Sequence, residues 1–337
     1  MKKMTVDNLV CAHQLNLLND SVLLVQLDES DLRHHSFLDE RILRQEMNYE
    51  WIRWSEFEAA AEGIPVQIPS YIFHVGHCGS TLLSRLVSAA TGAQALREPL
   101  PMRTIAFDQA DGPAALLSGE MLCARLAVFE RVWARGPSKT VVKATSICTN
   151  LMGLVDPAAP IVFIYQQPET HLAVSLAGEN KLQDLRGFAQ NRYRRLAQCE
   201  VDMPPLAELS IGELAALTWL TEAVSANRWL MDRSVAKLDF DQFLQQPDDR
   251  LLEVCRELNL ATDAGRCRTA INGPIMRSYS KAPEHEYGPG LRQEIIVDSR
   301  ARNAGEIARG LRWIDRLAAA SADVRSAVEG LSSGSVS

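Results

Sequence analysis

One stretch restricts the folds open to this chain more than any other. The apolar run Tyr71-Ile72-Phe73-His74-Val75 passes straight into Gly76-His77-Cys78-Gly79-Ser80-Thr81, and a helical segment follows from Thr81 to Ala90. Gly63, Pro65 and Pro69 break any helix ahead of it, so the run reads as a compact strand. A strand feeding a glycine turn at the head of a helix points successive backbone amides at one spot. The helix adds partial positive charge there, and an anion such as phosphate or sulfate fits. Gly76 and Gly79 allow the tight turn and the close approach, and Ser80 and Thr81 add hydroxyl donors.

The rest of the chain fits around that unit. Short strands are expected at Ala95-Leu96-Arg97, Thr140-Val141-Val142-Lys143, Ile161-Val162-Phe163-Ile164-Tyr165 and Val235-Ala236-Lys237-Leu238, most of them separated by longer helical stretches. Strands alternating with helices imply a parallel sheet covered on both faces. Ser210 and Glu213 form a capping box ahead of Ile211, Leu214, Leu217, Leu220 and Val224. Pro247 suits a first helical position, with Asp248 and Asp249 beside it and Leu251, Val254, Cys255 and Leu258 on one face. Residues 1–68 are expected to form a helical extension, on the amphipathic spacing of Phe37-Leu38-Asp39-Glu40-Arg41-Ile42-Leu43. The main domain is expected over 69–320, and 321–337 as a Ser/Gly-rich tail.

Composition narrows the function classes. With 337 residues, 47% of them hydrophobic, the chain can build a large core without disulfides or metals. A formal charge of −7 argues against a general nucleic-acid or anionic-membrane binder. The seven cysteines are scattered and no CxxC occurs, the pattern of reduced thiols in a cytoplasmic protein. No apolar segment is long enough to span a bilayer, and Met1-Lys2-Lys3 is followed by a polar stretch rather than a signal sequence.

The loop departs from a nucleoside-triphosphate loop of the form GxxxxGK[ST]. Laid on Gly79-Ser80-Thr81, that pattern requires Lys where Ser80 stands and Gly where His74 stands. Without the lysine, transfer of a γ-phosphate loses its charge clamp. A degenerate P-loop kinase is therefore the alternative reading, together with a non-catalytic protein that binds a phosphorylated ligand. The bland reading of the loop is a plain strand–turn–helix connection capped by Ser80. His74 alternates with core positions and reads as a hydrogen-bonded strand residue. Cys78 lies near a helix N-terminus, which lowers a thiol pKa, but covalent chemistry also needs a base.

These features together resemble the sulfotransferase superfamily, as a divergent bacterial-type member. Its loop of the type [KR]-S-G-T-T matches His77-Cys78-Gly79-Ser80-Thr81, with histidine for the basic residue and cysteine for serine. Glu98-Pro99 lies where many bacterial and tyrosylprotein-type members carry an acidic catalytic base. Lys143-Ala144-Thr145 looks like the family's K-x-T segment. Trp219 and the stretch Leu238 to Pro247 look like its later helix and its Y-E-D-L-x-x-x-P segment. The likeness runs from about Tyr71 to Leu260.

The resemblance implies a P-loop, three-layer α/β/α fold with a mainly parallel central sheet and helical elaborations. It implies sulfuryl transfer from 3′-phosphoadenosine 5′-phosphosulfate to a hydroxyl or amine of a small-molecule acceptor, without a metal. Gly76, His77, Cys78, Gly79, Ser80 and Thr81 would hold the 5′-phosphate, His77 would stabilise charge or shuttle a proton, and Glu98 would act as base. Ser175 is the counterpart of the serine that binds the 3′-phosphate. The family's arginine there is replaced by Gln166 or Gln167, leaving Arg192, Arg194 or Arg195 to compensate. Arg277 and Lys281 lie in a loop-rich segment that could close over the nucleotide, as a basic segment near the family's C-terminus does. His285 with Glu284 and Glu286 is too sparse for a metal site.

Overall fold

The computed structural model describes residues 10–27, 38, 42–43, 47–230, 233, 235–279, 282–286 and 289–332. Its first strands are β1 (Val10–Asn16), β2 (Ser21–Gln26) and β3 (Tyr49–Arg53), paired antiparallel in that order. Helices were expected here. The run Val22-Leu23-Leu24-Val25 is branched and buried, which suits a pleated sheet better than a helix. Asp20 takes a left-handed φ of 48° in the connecting turn, and Asn16 Oδ1 accepts from the Asn19 amide at 3.0 Å. The segment Phe37 to Leu43 lies mostly outside the described residues. Helix α1 (Trp54–Glu62) then returns the chain to the main domain. Trp54 and Phe57 pack on Phe129, and Arg125 spans Trp54 and Asp20, reaching the latter at 2.5 Å.

The main domain is an α/β fold around five strands, all paired in parallel. Strand β4 (Ser70–His74) leads through α2 (Ser80–Thr91) to β5 (Gln94–Arg97). Helices α3 (Leu100–Ala110) and α4 (Gly119–Trp133) precede β6 (Thr140–Lys143), and a 3-10 turn, Ser146–Gly153, precedes β7 (Ile161–Tyr165). Four helices follow: α5 (Pro168–Ser175), α6 (Glu179–Gly187), α7 (Ala189–Ala197) and α8 (Ile211–Leu230). They lead to β8 (Val235–Asp239). In space the strands run β5-β6-β4-β7-β8.

Every residue of β4, β6 and β7 is buried, which is why their central residues are apolar without alternation, and the polar Ser70, His74, Thr140 and Lys143 stand at strand ends. The chain leaves central β4 toward β5 and β6 and then crosses to β7 and β8. The end of β4 is therefore the topological switch point, where crevices open in such sheets.

Helices α9 (Phe240–Gln245), α10 (Pro247–Glu257) and α11 (Ala264–Asn272) follow β8, then a small pair, β9 (Ser278–Tyr279) with β10 (Ala282–Glu286). Helices α12 (Pro289–Arg302), α13 (Ala304–Ala320) and α14 (Ala322–Ser332) end the described chain. The reciprocal bonds of the capping box form at the head of α8: the Glu213 amide donates to Ser210 Oγ at 3.2 Å, and the Ser210 amide donates to Glu213 Oε2 at 2.8 Å. A tail was expected from 321, yet α14 occupies 322–332. Val324, Ala327, Val328 and Leu331 repeat at i, i+3, i+4, i+7, and the stripe packs against α8. No described helix is long and apolar enough to cross a membrane.

Candidate functional site

The turn after β4 has the conformation an anion cradle needs. Gly76, His77 and Gly79 all take left-handed φ values, of 92°, 49° and 78°. A turn that mixes left- and right-handed residues at the head of a helix is the setting in which backbone amides form an anion-binding concavity. Gly79 is required twice over, because a Cβ at that position would also lie 2.1 Å from the Phe240 ring. His77 has no such dispensation: an L side chain in this region stores strain, which persists where the surroundings enforce it.

Side chains complete the cradle. Thr81 is buried, and its Oγ1 has no hydrogen-bond partner among the described residues. A buried hydroxyl without a partner is costly unless a ligand or water supplies one. His77 bonds through Nε2 to Asp184 Oδ2 at 3.1 Å, and Asp184 lies 4.0 Å from Arg192. His74 accepts from the Gly76 amide at its Nδ1, 3.0 Å away. Its other nitrogen therefore carries the proton and donates to the Ala144 carbonyl at 2.9 Å. It braces the loop as a strand residue. Cys78 turns inward, with Sγ 3.5 Å from the Ile164 carbonyl. Burial pushes its thiol up to about 12, against the lowering expected from the helix terminus, so only its backbone is available to a ligand.

Glu98 stands across β6 from the loop. It too has a positive φ, 60°, and its amide donates to the Lys143 carbonyl at 2.7 Å. Its carboxylate pairs with Lys143, a fully buried lysine at the end of β6. Since Ile72 of β4 is in register with Lys143, this ion pair lies one strand from the phosphate loop. The structure thus brings His77, Glu98 and the loop to one end of the sheet.

The end of β7 is built differently. Gln167 is committed to structure: its Nε2 donates to Asp239 Oδ2 at 3.0 Å and to the Leu331 carbonyl at 3.1 Å. Gln166 is fully buried, and neither its Oε1 nor its Nε2 has a partner among the described residues. Ser175 is buried with Oγ 3.2 Å from His171 Nε2. Burial, and then the charges of His77 and Arg192, lower the His171 pKa to about 3, so the imidazole is neutral.

The arginines proposed as substitutes are already engaged. Arg192 is fully buried and donates from Nε to Glu222 at 3.1 Å, from Nη1 to Thr218 at 3.1 Å and from Nη2 to Ser146 at 3.2 Å. Arg195 reaches the other oxygen of Glu222 at 2.7 Å, and Arg194 pairs with Asp111 on the surface. Arg192 still approaches the loop, since a Cβ on Gly76 would lie 3.4 Å from Ser146 Oγ. Arg277 is exposed and donates to the Asn272 carbonyl at 3.1 Å, while Lys281 lies outside the described residues. Among the described residues, no group of three His, Cys, Asp or Glu is placed to hold a metal.

Lys143, Asp184, Ser146 and Glu222 escaped the sequence reading as site residues. Two of them leave a signal: Lys143 closes an otherwise apolar strand, and Glu222 interrupts an apolar helix face between Leu220 and Ala223. A charge in either setting calls for a buried partner.

Fold and site together define an α/β protein with a parallel five-stranded sheet and a glycine turn at the end of its central strand. No protein-family model matches the chain, and no curated protein matches it. Among solved structures it is similar to the sulfotransferase domain from the curacin biosynthetic pathway, at 12% identity and a TM-score of 0.39 over 74% of this chain and 99% of that one. It is also similar to a sulfotransferase from Alicyclobacillus acidocaldarius, at 17% identity and a TM-score of 0.35, covering 72% and 97% of the two chains. The sulfotransferase domain of the Synechococcus PCC 7002 olefin synthase matches at 12% identity and 0.34, covering 71% and 97%. Such scores leave function to be argued from the chain's own residues.

Proposed function

We propose that the protein transfers a sulfuryl group from 3′-phosphoadenosine 5′-phosphosulfate to a hydroxyl or amine of a small acceptor. The observation that carries this reading is the loop after β4: three left-handed residues, a buried Thr81 hydroxyl without a partner, and Ser80 where a triphosphate loop needs lysine. The donor, when bound, supplies an activated sulfuryl group whose departure leaves negative charge on a phosphate. The loop amides and Thr81 fit that phosphate. Lys143 supplies positive charge beside it, and His77, oriented by Asp184, adds positive charge there when protonated. Glu98 accepts the acceptor's proton, and its ion pair with Lys143 fixes the carboxylate in place. Gln166 offers amide donors to a second anionic group but no charge.

Incubating the full chain with the ³⁵S-labelled donor and a panel of phenols, alcohols and amines tests this reading. A labelled acceptor is the expected product. Magnesium-dependent ATP turnover without sulfuryl transfer would replace the reading with a kinase. Nucleotide binding without transfer to any acceptor would favour a phosphate-ligand-binding protein, which the uncharged end of β7 also suits.

A further inference from the structure

A second site for an anion lies along the outer edge of the sheet, away from the phosphate loop. A cavity of about 620 Å³ opens beside β5, between the second half of α2, the turn after α4 and the start of β1. It meets Gln94 at the beginning of β5 and Gly136 to Ser138 ahead of β6. Those residues mark the N-terminal edge of the parallel sheet, and the cavity runs along β5 from there to Arg97 at the strand's other end. Its volume is that of a pocket for a small organic ligand.

The charged groups of this cavity are all guanidinium groups. Arg85, Arg97 and Arg135 line it, and no carboxylate does among the described residues. Arg85 Nη1 is fully covered and has no hydrogen-bond partner among the described residues. Trp133 is 4% exposed, lines the same cavity, and its Nε1 is likewise buried without a described partner. Arg97 donates from Nε to Ser84 Oγ at 3.1 Å, which fixes its guanidinium at the cavity wall. Burial, and then the nearby charge of Arg85, lower the Arg97 pKa to about 10. Arg85 is thus held close enough to disfavour the charge of Arg97. Ala12, Leu96, Pro137 and Ile275 give the remaining wall an apolar character.

Two unsatisfied donors, a pair of like charges and apolar walls share one requirement, namely acceptor oxygens bearing negative charge on an apolar body. We infer that the cavity binds a small organic anion, with Arg85 and Trp133 donating to its carboxylate, phosphate or sulfate group. The site goes beyond the transfer reaction proposed above and does not depend on it. Helix α2 carries the phosphate loop at its head and Arg85 in its second turn, so an occupant would bear on the same helix.

Calorimetric titration of the full chain with benzoate, phenyl phosphate and phenyl sulfate, against uncharged benzyl alcohol, tests the inference. All four are titrated into the wild type and into Arg85→Gln, Arg85→Lys and Thr81→Ala, with melting temperatures recorded to establish folding. At least one anion is expected to bind tenfold or more tightly than benzyl alcohol. The ranking of the three identifies the headgroup. Arg85→Gln should remove the preference, Arg85→Lys should retain part of it, and Thr81→Ala should leave it unchanged. Anions binding no better than benzyl alcohol would overturn the inference. So would a preference untouched in folded Arg85→Gln, or one lost in Thr81→Ala alone.

Discussion

The two ends of the candidate nucleotide site, at β4 and at β7, are built on opposite principles. At the end of β4 the backbone is strained at His77 and Gly79 turns beneath Phe240, with the Glu98–Lys143 ion pair one strand away. At the end of β7 the backbone is relaxed and the polar groups are neutral: Gln166, whose amide has no partner among the described residues, and Ser175 bonded to an uncharged His171. The arginines near the second end are taken up by Glu222. Strain and charge gather at the end of β4, where we propose that an anion is held, whereas β7 presents neutral hydrogen-bonding groups.

The largest effect should come from the charged end. Glu98→Gln removes the proton acceptor while keeping size, and should slow transfer by roughly 10²- to 10⁴-fold with nucleotide affinity little changed. Steady-state rates beside a binding titration would show it, and an unaltered rate would move the base elsewhere. Next, Glu222→Gln leaves two buried guanidinium groups without their counter-charge and should cost about 3–5 kcal/mol of stability in urea unfolding. A loss below about 1 kcal/mol would mean that Arg192 and Arg195 are free to serve a ligand.

Thr81→Ala deletes a hydroxyl with no partner among the described residues, so stability should hold. Affinity for a 5′-phosphate should fall about 10- to 150-fold, the worth of a hydrogen bond to a charged group. At the neutral end, Gln166→Met should leave stability unchanged or raise it by about 1–2 kcal/mol, because the buried amide it removes is unsatisfied. A clear loss of stability would instead identify a partner for that amide.

The effect that is smallest at neutral pH is in the pH profile. His171 titrates at 6.5 when unperturbed and at about 3 in the fold. Between those values the unfolded chain takes up the extra proton. The contribution of His171 is therefore complete above pH 6.5 and is lost as pH falls toward 3, by at most about 1.4 kcal/mol per pH unit. Unfolding of His171→Gln over the same range should show a shallower slope, and an identical slope would contradict the burial argument.

The sheet was legible in the sequence because apolar residues cluster in its strands, most clearly Tyr71 to Val75 and Ile161 to Tyr165, with shorter cores at Val141-Val142 and in β5 and β8. The loop was legible because glycine spacing encodes a turn directly. The N-terminal strands were not, since Val22 to Val25 is short and lacks alternation, so periodicity does not separate strand from helix. Helix α14 was obscured by the Ser- and Gly-rich residues after Glu329, although the stripe from Val324 to Leu331 was present. The pairs His77–Asp184 and Arg192–Glu222 join residues 107 and 30 positions apart, and only the tertiary fold brings such partners together.

The central claim is that the loop after β4 holds the phosphate of an adenosine bisphosphate rather than a triphosphate. Calorimetric titration of the full chain with 3′-phosphoadenosine 5′-phosphate, with magnesium ATP as the competitor and Thr81→Ala as the control, tests it most directly. The account predicts saturable one-site binding of the bisphosphate, at least tenfold tighter than ATP and weakened in Thr81→Ala. No binding of the bisphosphate, or tighter binding of magnesium ATP, would contradict it.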